Sequence, residues 1–348
     1  MGGVGVASSS YQAASIVNPA LTAKNAKDNG HAISFPSFGA EISYNDEHIN
    51  NFQDSFDILE NVLATSFDIN EIETAEDQLV NDFYDLDNER INAAAGSALI
   101  ITIPHPVVTT SFFTNSYYDA DQLIIENVDT SSNMDAKMYA LGAIVSEVGL
   151  SFAKQIYIKN TPIFVGISPK FQQVDTFDYV IDVSEGCDKV NISDYKTSHT
   201  GFNLDIGIAA QFDKFTIGLN VNNVISHHYK ASMFVGNDYS YQIDPLFTAG
   251  ISWIDDNYVF ALDADLNKRD VFHYEGDAKQ FVRVGGEYNL ANWLQLRSGY
   301  RYDLQDNIEN TYSLGLGVLA WQKFHIDVTG LFGTDERIGA VVSLSWTN

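Results

Sequence analysis

The last part of the chain, residues 245–348, is a series of short segments in which apolar residues alternate with polar or small ones. In the segment 260–267, for example, the apolar residues Phe260, Leu262 and Leu266 lie at even positions, while Asp263 and Asp265 lie at odd positions. The same alternation recurs in the segments 282–288, 294–302, 312–318, 324–332 and 340–346. Successive side chains of a β-strand point to opposite faces, so each segment predicts a strand with one apolar and one polar face.

Two architectures can use such strands. A soluble sandwich buries the apolar faces against each other, whereas a membrane barrel turns them outward to lipid and lines its interior with polar and small residues. Glycine and charged residues share the polar face here, which favours a crowded lumen. Aromatic residues lie near the strand ends, where a membrane-interface girdle is expected. They are Tyr258, Tyr288, Trp293, Tyr302, Trp321, Phe324 and Trp346. We therefore predict an all-β protein with a closed antiparallel transmembrane barrel.

The spacing of the segments predicts about fourteen strands with alternating connections. Short turns are expected near positions 105, 157, 213, 255, 291 and 321, and longer loops include 118–133, 184–198 and 224–243. This alternation is typical of an even-stranded barrel with short periplasmic turns and longer external loops. Pro169 interrupts one predicted strand, where its missing N–H predicts a bulge or break.

Two regions lack the alternation. Residues 1–30 are rich in Gly, Ala and Ser, and they form either a flexible tail or a plug that lies inside a barrel formed by residues 31–348. Residues 46–94 show apolar residues at three- and four-residue spacing, which predicts amphipathic helices in an extracellular insertion. These helices either cap a pore mouth or decorate the surface.

Composition narrows the partners and the compartment. The formal net charge is −27, with 46 acidic and 19 basic residues, so a nucleic-acid partner is excluded by repulsion. The single cysteine, Cys187, excludes an internal disulfide. The sequence contains no run of about 20 apolar residues, so no transmembrane helix is predicted. The first residues show no signal peptide, so we expect an exported mature chain in a bacterial outer membrane.

Several stretches of the sequence resemble known outer-membrane barrels. The start Met1-Gly2-Gly3-Val4-Gly5-Val6-Ala7, followed by Asn18-Pro19-Ala20-Leu21, is similar to the mature N-terminus of FadL-like proteins, whose Asn-Pro-Ala motif lies in a luminal plug. A closer resemblance is to the TraF-like family annotated for conjugal transfer, which is related to PorV-type barrels. The stretches that carry this resemblance are 146–151, 218–223, 261–268 and 293–301.

The resemblance implies a fourteen-stranded plugged barrel in a Gram-negative outer membrane, without fixing one activity. FadL-like members move hydrophobic molecules, and PorV-type members dock secreted partners. The C-terminus departs from the usual barrel pattern, because Trp346 is followed by two more residues instead of ending the chain.

Charged residues on the predicted inner face could bind one another or a solute. They are Asp263, Asp265, Arg283, Glu287, Arg297, Arg301 and Asp327. Adjacent strands lie about 4.8 Å apart, so we expect Arg283 and Arg297 each to contact one of these carboxylates. An ion-pair network that braces the lumen is the leading interpretation, and selectivity for a charged solute is the alternative.

Catalytic chemistry is not expected. His325 and Asp327 share a face with Ser343 and Ser345, but no oxyanion site or nucleophile motif accompanies them. The adjacent residues His227 and His228 point apart on a strand and cannot easily share one metal ion. We predict no enzyme activity, no metal and no cofactor.

Two function classes remain. The first is a plugged transport channel for a hydrophobic or amphipathic ligand, and the second is a non-transporting anchor that binds extracellular or secreted partners. The candidate ligand-binding residues are Asn18, Pro19, Ala20, Phe35, Phe38, Phe112 and Phe113. The expected partners are outer-membrane lipid or lipopolysaccharide, a hydrophobic small molecule, and a protein at the acidic external loops.

Overall fold

The computed structural model describes residues 1–24, 30–43, 46–66, 68–85, 90–129, 135–182, 196–230, 240–272, 278–333 and 337–348. The strands are β1 Ala32–Ser43, β2 Arg90–Ile103, β3 Thr109–Asp129, β4 Asp135–Ile158, β5 Thr161–Asp182, β6 Lys196–Phe212, β7 Phe215–Asn222, β8 His227–Lys230, β9 Ser240–Ile243, β10 Leu246–Ile254, β11 Tyr258–Asp265, β12 Phe281–Ala291, β13 Leu294–Asp303, β14 Thr311–Ala320, β15 Phe324–Gly333 and β16 Ile338–Thr347. In this described part of the chain, fourteen strands form one closed antiparallel barrel, which confirms the predicted fold.

The barrel closes where its first strand meets its last. β1 pairs with β2 on one side and with β16 on the other, and every further pair joins strands that neighbour each other in the barrel order. Closure leaves no sheet edge without a partner, which is what backbone groups in lipid require. The remaining strands, β8 and β9, form a separate hairpin between β7 and β10. The predicted loop 224–243 therefore contains two short strands that the sequence pattern did not predict.

The two faces of the wall differ as the alternation predicts. On β14, the side chains of Leu314 and Leu316 are 62% and 52% exposed on the outside, whereas that of Ser313 is 2% exposed inside. On β11, Leu262 faces outward and Asp263 is buried inside. The apolar outer wall suits lipid, and the buried polar inner wall forms the surroundings of the lumen.

The connections alternate as predicted at most positions. Short turns occupy 104–108, 159–160, 213–214, 255–257, 292–293 and 321–323. The predicted loop 118–133 is wrong, because β3 continues to Asp129 and β4 begins at Asp135. Strands that extend beyond the membrane keep their backbone pairing without needing apolar alternation, so the sequence carries no signal there. Of the predicted loop 184–198, residues 184–195 lie outside the described residues.

Pro169 causes no bulge in β5. The β5–β6 register runs through it without a shift, with Ser168 opposite Asp205 and Pro169 opposite Leu204. Toward β4 the register is the same on both sides of the proline, from Gly149 opposite Lys170 onward. The predicted bulge was therefore wrong, whereas the predicted break is present on one side, because the pairing with β4 is interrupted at Ser168 and Pro169.

The helices lie outside the wall strands. α1 (Ala14–Val17) and a 3-10 helix (Pro19–Ala23) belong to the N-terminal segment, while α2 (Asp46–Thr65) and α3 (Ile69–Asp85) follow β1. α2 packs on α3 through Phe52 and Phe83, whose ring centroids are 5.4 Å apart. The predicted insertion 46–94 ends earlier than expected, because residues 90–94 already belong to β2. Among the described residues, no helix is long and apolar enough to span a membrane.

Candidate functional site in the barrel lumen

The N-terminal segment, residues 1–24, lies against glycines of the inner wall. These glycines face each other in pairs on neighbouring strands: Gly166 with Gly207, Gly218 with Gly250, and Gly285 with Gly299. A Cβ atom added at Gly285 would lie 2.5 Å from the carbonyl oxygen of Met1, and one at Gly250 would lie 3.0 Å from Cβ of Val6. Any larger residue at these positions would occupy the space of the segment. The glycines form an inner track that fits the segment, and we call these six residues the glycine track.

Hydrogen bonds fix the segment on the track. Asp263 accepts two of them at Oδ2, from the backbone N–H groups of Gly5 at 2.6 Å and Val6 at 2.9 Å. Ser252 Oγ donates to the carbonyl oxygen of Ala7 at 2.8 Å. These contacts come from β10 and β11 and satisfy backbone groups that are buried away from water.

Two more strands hold the ends of the segment. Ser168 Oγ of β5 donates to the carbonyl oxygen of Ser15 at 3.2 Å. The N–H of Gly2 donates to Ser313 Oγ of β14 at 2.8 Å. The segment therefore contacts strands on widely separated parts of the wall and crosses the lumen between them.

The Asn18-Pro19-Ala20 motif shapes the segment itself. Asn18 is fully buried, and its Nδ2 donates to the carbonyl oxygen of Val6 at 2.7 Å while its Oδ1 accepts from the N–H of Ala20 at 3.2 Å. The asparagine thus caps the 3-10 helix and joins it to the preceding stretch. Next to the motif, Ala20 packs in a buried cluster with Phe164. The polar atoms of the motif are used within the protein.

The predicted phenylalanine cluster does not assemble. Phe38 is 65% exposed and Phe112 is 39% exposed, both on the outer face, whereas Phe113 is 1% exposed and faces inward. Phe112 and Phe113 are adjacent on one strand and must point to opposite faces. Phe35 lies within a register shift of β1 that separates it from the regular pattern. These four residues therefore do not line one pocket, and this part of the predicted ligand site was wrong.

The inward charges lie in paired arrangements. Arg283 binds Asp265 through two hydrogen bonds of 2.8 and 3.0 Å. Arg297 contacts Glu287 at 2.6 Å and also contacts Asp327. Bidentate and doubly paired arginines of this kind hold neighbouring strands in one arrangement.

The arginine cluster extends across the barrel closure. Arg301 and Arg337 both bind the carboxylate of Glu41, at 3.0 and 2.6 Å. Arg301 belongs to the predicted charge network, whereas Glu41 and Arg337 were not predicted to belong to it. Glu41 is on β1 and Arg337 precedes β16, so only closure of the barrel brings them together.

A second buried ion cluster was missed altogether. Lys170 of β5 contacts Glu147 of β4 and Asp205 of β6, each at 3.0 Å, and all three side chains are almost completely buried. Glu147 also accepts a hydrogen bond from Gln172 at 2.7 Å. The sequence signal for this cluster was that Lys170 alternates with Phe171, whose side chain faces outward.

The β8–β9 hairpin folds over the outer mouth of the lumen. Tyr229 stacks between His199 and His227, with ring centroids 5.0 and 5.6 Å away. Tyr241 and Phe272 join a buried apolar cluster that includes inner-face residues of β4 and β5. The hairpin therefore covers the side of the mouth next to these strands.

The triad-like residues near the C-terminus do not form a catalytic arrangement. Ser343 Oγ donates to Asp327 at 3.4 Å, and Asp327 also contacts Arg297, so this carboxylate does not orient His325. His228 contacts Asp244 at 3.3 Å, while the ring of its neighbour His227 bonds to a backbone carbonyl group. Within the described ranges, no three side chains of His, Cys, Asp or Glu converge in a way that would hold a metal ion.

Solved structures similar to this chain are outer-membrane channels. A TodX mutant described as a monoaromatic hydrocarbon channel is 13% identical, with a TM-score of 0.60, and the alignment covers 97% of this chain and 94% of that one. The toluene transporter TodX of Pseudomonas putida is 12% identical, with a TM-score of 0.59 and coverage of 98% and 95%. At such low identity, these similarities establish the barrel fold and nothing more.

Sequence comparison establishes the family. No curated protein matches the chain. A family model described as "F plasmid transfer operon, TraF, protein" matches residues 15–265, which include the second part of the N-terminal segment and the strands from β1 to β11. This match spans most of the sequence and agrees with the resemblance in the motifs. The chain therefore belongs to this TraF family of barrel proteins.

Proposed function

We propose that the protein is an outer-membrane channel in which residues 1–30 act as a luminal plug and gate the passage of a hydrophobic or amphipathic ligand. The observation that carries the proposal is the fit between residues 1–24 and the glycine track. The segment is buried inside a wall that is already closed, and small inward residues make room for it.

The bonds to the segment are compatible with release. Its named side-chain contacts with the wall are hydrogen bonds with single serine residues and with one carboxylate, Asp263, which accepts two of them. Net hydrogen bonds of this kind contribute about 0.5–1.5 kcal/mol each, or about 1.5–3 kcal/mol with a charged partner. These hydrogen bonds are few compared with the backbone pairing that holds each strand in the wall. The TodX structures, which share the fold, are themselves described as hydrocarbon channels.

Planar-bilayer recording tests the proposal. We expect deletion of residues 2–24 to raise single-channel conductance, because it empties the central part of the lumen. A smaller change, Gly285→Val, places a side chain where Met1 and Val4 lie and should open the channel in the same direction. The matched control is Gly286→Val on the same strand, whose added Cβ points outward and meets the Phe260 ring at an ordinary 3.4 Å.

A specific observation supports the second candidate, an anchor for protein partners. The α2–α3 hairpin exposes apolar side chains, among them Ile69 at 69%, Leu63 at 58% and Phe56 at 54%. Exposed apolar residues of this kind are typical of a surface that contacts another protein. If the deletion and Gly285→Val both left conductance at the level of the unaltered barrel, the channel proposal would be wrong and the anchor would be favoured.

A further inference from the structure

The long-loop end of the lumen contains a cavity that the N-terminal segment does not fill. Its volume is about 370 Å³, and it lies beside the barrel closure between β1, β2, β13 and the residues before β16. We call it the outer vestibule. Its apolar lining includes Tyr117, Phe281, Leu331 and Val341. A volume of this size is at the lower end for small-molecule sites and is too small for a long chain.

The polar lining of the outer vestibule is mainly cationic. Among the described residues, Glu41 is its one acidic member, whereas Arg269, Lys279, Arg301 and Arg337 carry positive charge. Three of the six arginines of the chain therefore meet at this cavity, in a protein whose net charge is −27. Arg269 and Lys279 already interact with other residues, so Arg301 and Arg337 are the cations that we consider as partners for a negative group.

The hydrogen bonding of two of these arginines is incomplete. Arg301 and Arg337 share the single carboxylate of Glu41, so the trio keeps one net positive charge. Of all described residues, few have buried polar atoms without a partner, and the Nε atoms of both Arg301 and Arg337 are among these few. A guanidinium group carries five N–H donors in a planar fork that matches carboxylate and phosphate oxygens. A buried donor without an acceptor is unfavourable, and an anionic ligand would relieve this.

We propose that the outer vestibule binds a small amphipathic anion whose carboxylate or phosphate group is held by Arg301 and Arg337. The apolar body of the ligand packs against Phe281 and Leu331. Phe281 is already flanked by two guanidinium groups, those of Arg283 at 5.0 Å and Arg301 at 5.1 Å from its ring centroid. The inference adds a ligand class to the proposed channel and depends on that proposal only for its biological meaning.

Calorimetry on the full-length barrel in a neutral detergent tests the inference with three probes. Benzoate carries a carboxylate on an aromatic body, inorganic phosphate carries the anionic group alone, and benzyl alcohol is a neutral molecule of similar size to benzoate. We expect benzoate to bind and benzyl alcohol not to bind. Binding of phosphate with no binding of benzoate would contradict the inference, because the apolar body of the ligand would then contribute nothing. No binding of either anion, or equal binding of benzoate and benzyl alcohol, would overturn it.

Three variants locate the site. Arg337→Gln should weaken binding of the anion at least about tenfold, because it removes a buried charged partner. Glu41→Gln should strengthen binding by about tenfold, because it removes the carboxylate that competes for both guanidinium groups. The control Arg297→Gln changes another paired luminal arginine and should leave affinity as it was. A purely structural role for Glu41 predicts weaker or unchanged binding in Glu41→Gln, and that result would contradict the inference.

The calorimetric outcome is independent of the channel test. If the anions bind while the plug deletion leaves conductance unchanged, the site stands and the channel proposal fails. If conductance rises and no anion binds, the channel proposal stands and this inference fails. Heat-modifiable gel migration of each variant shows that the barrel is folded before binding is measured.

Discussion

Asp263 Oδ2 lies 2.6 Å from the backbone nitrogen of Gly5, although 258 positions separate the two residues in the sequence. The same oxygen accepts from Val6, so one carboxylate holds two consecutive amides of the N-terminal segment. A charged acceptor makes such bonds about twice as strong as a neutral one. This contact is the strongest named attachment of the segment to the wall.

Asp263→Asn should therefore loosen the segment without changing the shape of the wall. Loss of the charge weakens both bonds, and a difference of about 1.4 kcal/mol would raise the unseated fraction about tenfold. The reporter is the alkylation rate of Val6→Cys in a Cys187→Ser background, since Val6 is buried when the segment is seated. Ser252→Ala removes one neutral hydrogen bond and should increase the rate less. A faster rate for Ser252→Ala than for Asp263→Asn would contradict the assignment.

The buried cluster around Lys170 should be important for stability. Lys170→Met leaves Glu147 and Asp205 buried without their common cation, and removing one partner of a buried pair costs about 3–5 kcal/mol. The matched control is Lys196→Met, which breaks the Lys196–Asp175 pair between the same two strands, β5 and β6. Lys196 is 38% exposed, so that loss should stay below about 1 kcal/mol. Urea unfolding in detergent measures both, and equal losses would show that the Lys170 cluster is hydrated.

The outward face should reject charge and tolerate changes of shape. Leu316→Arg places a cation on the lipid face and should cost about 2–4 kcal/mol near the middle of the membrane. Leu316→Phe keeps the surface apolar and should change stability little. Heat-modifiable gel migration with a urea series reports both. Similar stability of the two variants would mean that Leu316 does not contact lipid.

The stability of the protein should depend on pH through Lys24, which lies at the end of the N-terminal segment. Burial lowers the pKa of its ammonium group below the usual 10.5. The folded state therefore disfavours the charged form, and this destabilisation is fully present below the lowered pKa. It disappears as pH rises from that pKa toward 10.5, so stability should increase over this window.

Thermal unfolding measured at several pH values checks the sign. Lys24→Met removes the titrating group, so the variant should be more stable than the natural protein at pH 7 and the difference should shrink as pH rises toward 10. Lys214→Met, at an exposed turn on the same end of the barrel, serves as the comparison. A difference that grows with pH for Lys24→Met would reverse the interpretation.

The sequence predicted those features that depend on period-two alternation. The facing of Leu316 and Asp263 and the turn between Phe212 and Phe215 followed directly, because lipid and lumen impose opposite chemistry on successive residues. The pairs Arg283–Asp265 and Arg297–Glu287 also lay within reach, since each joins two strands that are consecutive in the barrel. Local pattern was sufficient wherever the relevant neighbours are close in the sequence.

The features that were not predicted depend on information outside a single strand. Glu41 and Arg337 meet only because the barrel closes between its first and last strands. The extension of β3 to Asp129 lies beyond the alternating part of the strand, so the sequence pattern carried no signal for it. The phenylalanine cluster failed for a simpler reason, because Phe112 and Phe113 cannot share a face.

The glycine track also has a consequence for the order of assembly. Its members extend from Gly166 on β5 to Gly299 on β13, which are more than 130 residues apart. The surface that receives residues 1–24 is therefore complete only when the residues between these positions have folded into the wall. A segment that precedes every wall strand in the sequence is therefore the last to reach its final position. Contacts between such distant positions form slowly, because a long loop must be closed before they are made. Until then the lumen of the newly formed barrel is open, and the entry of residues 1–24 is the step that fills the space beside the glycine track.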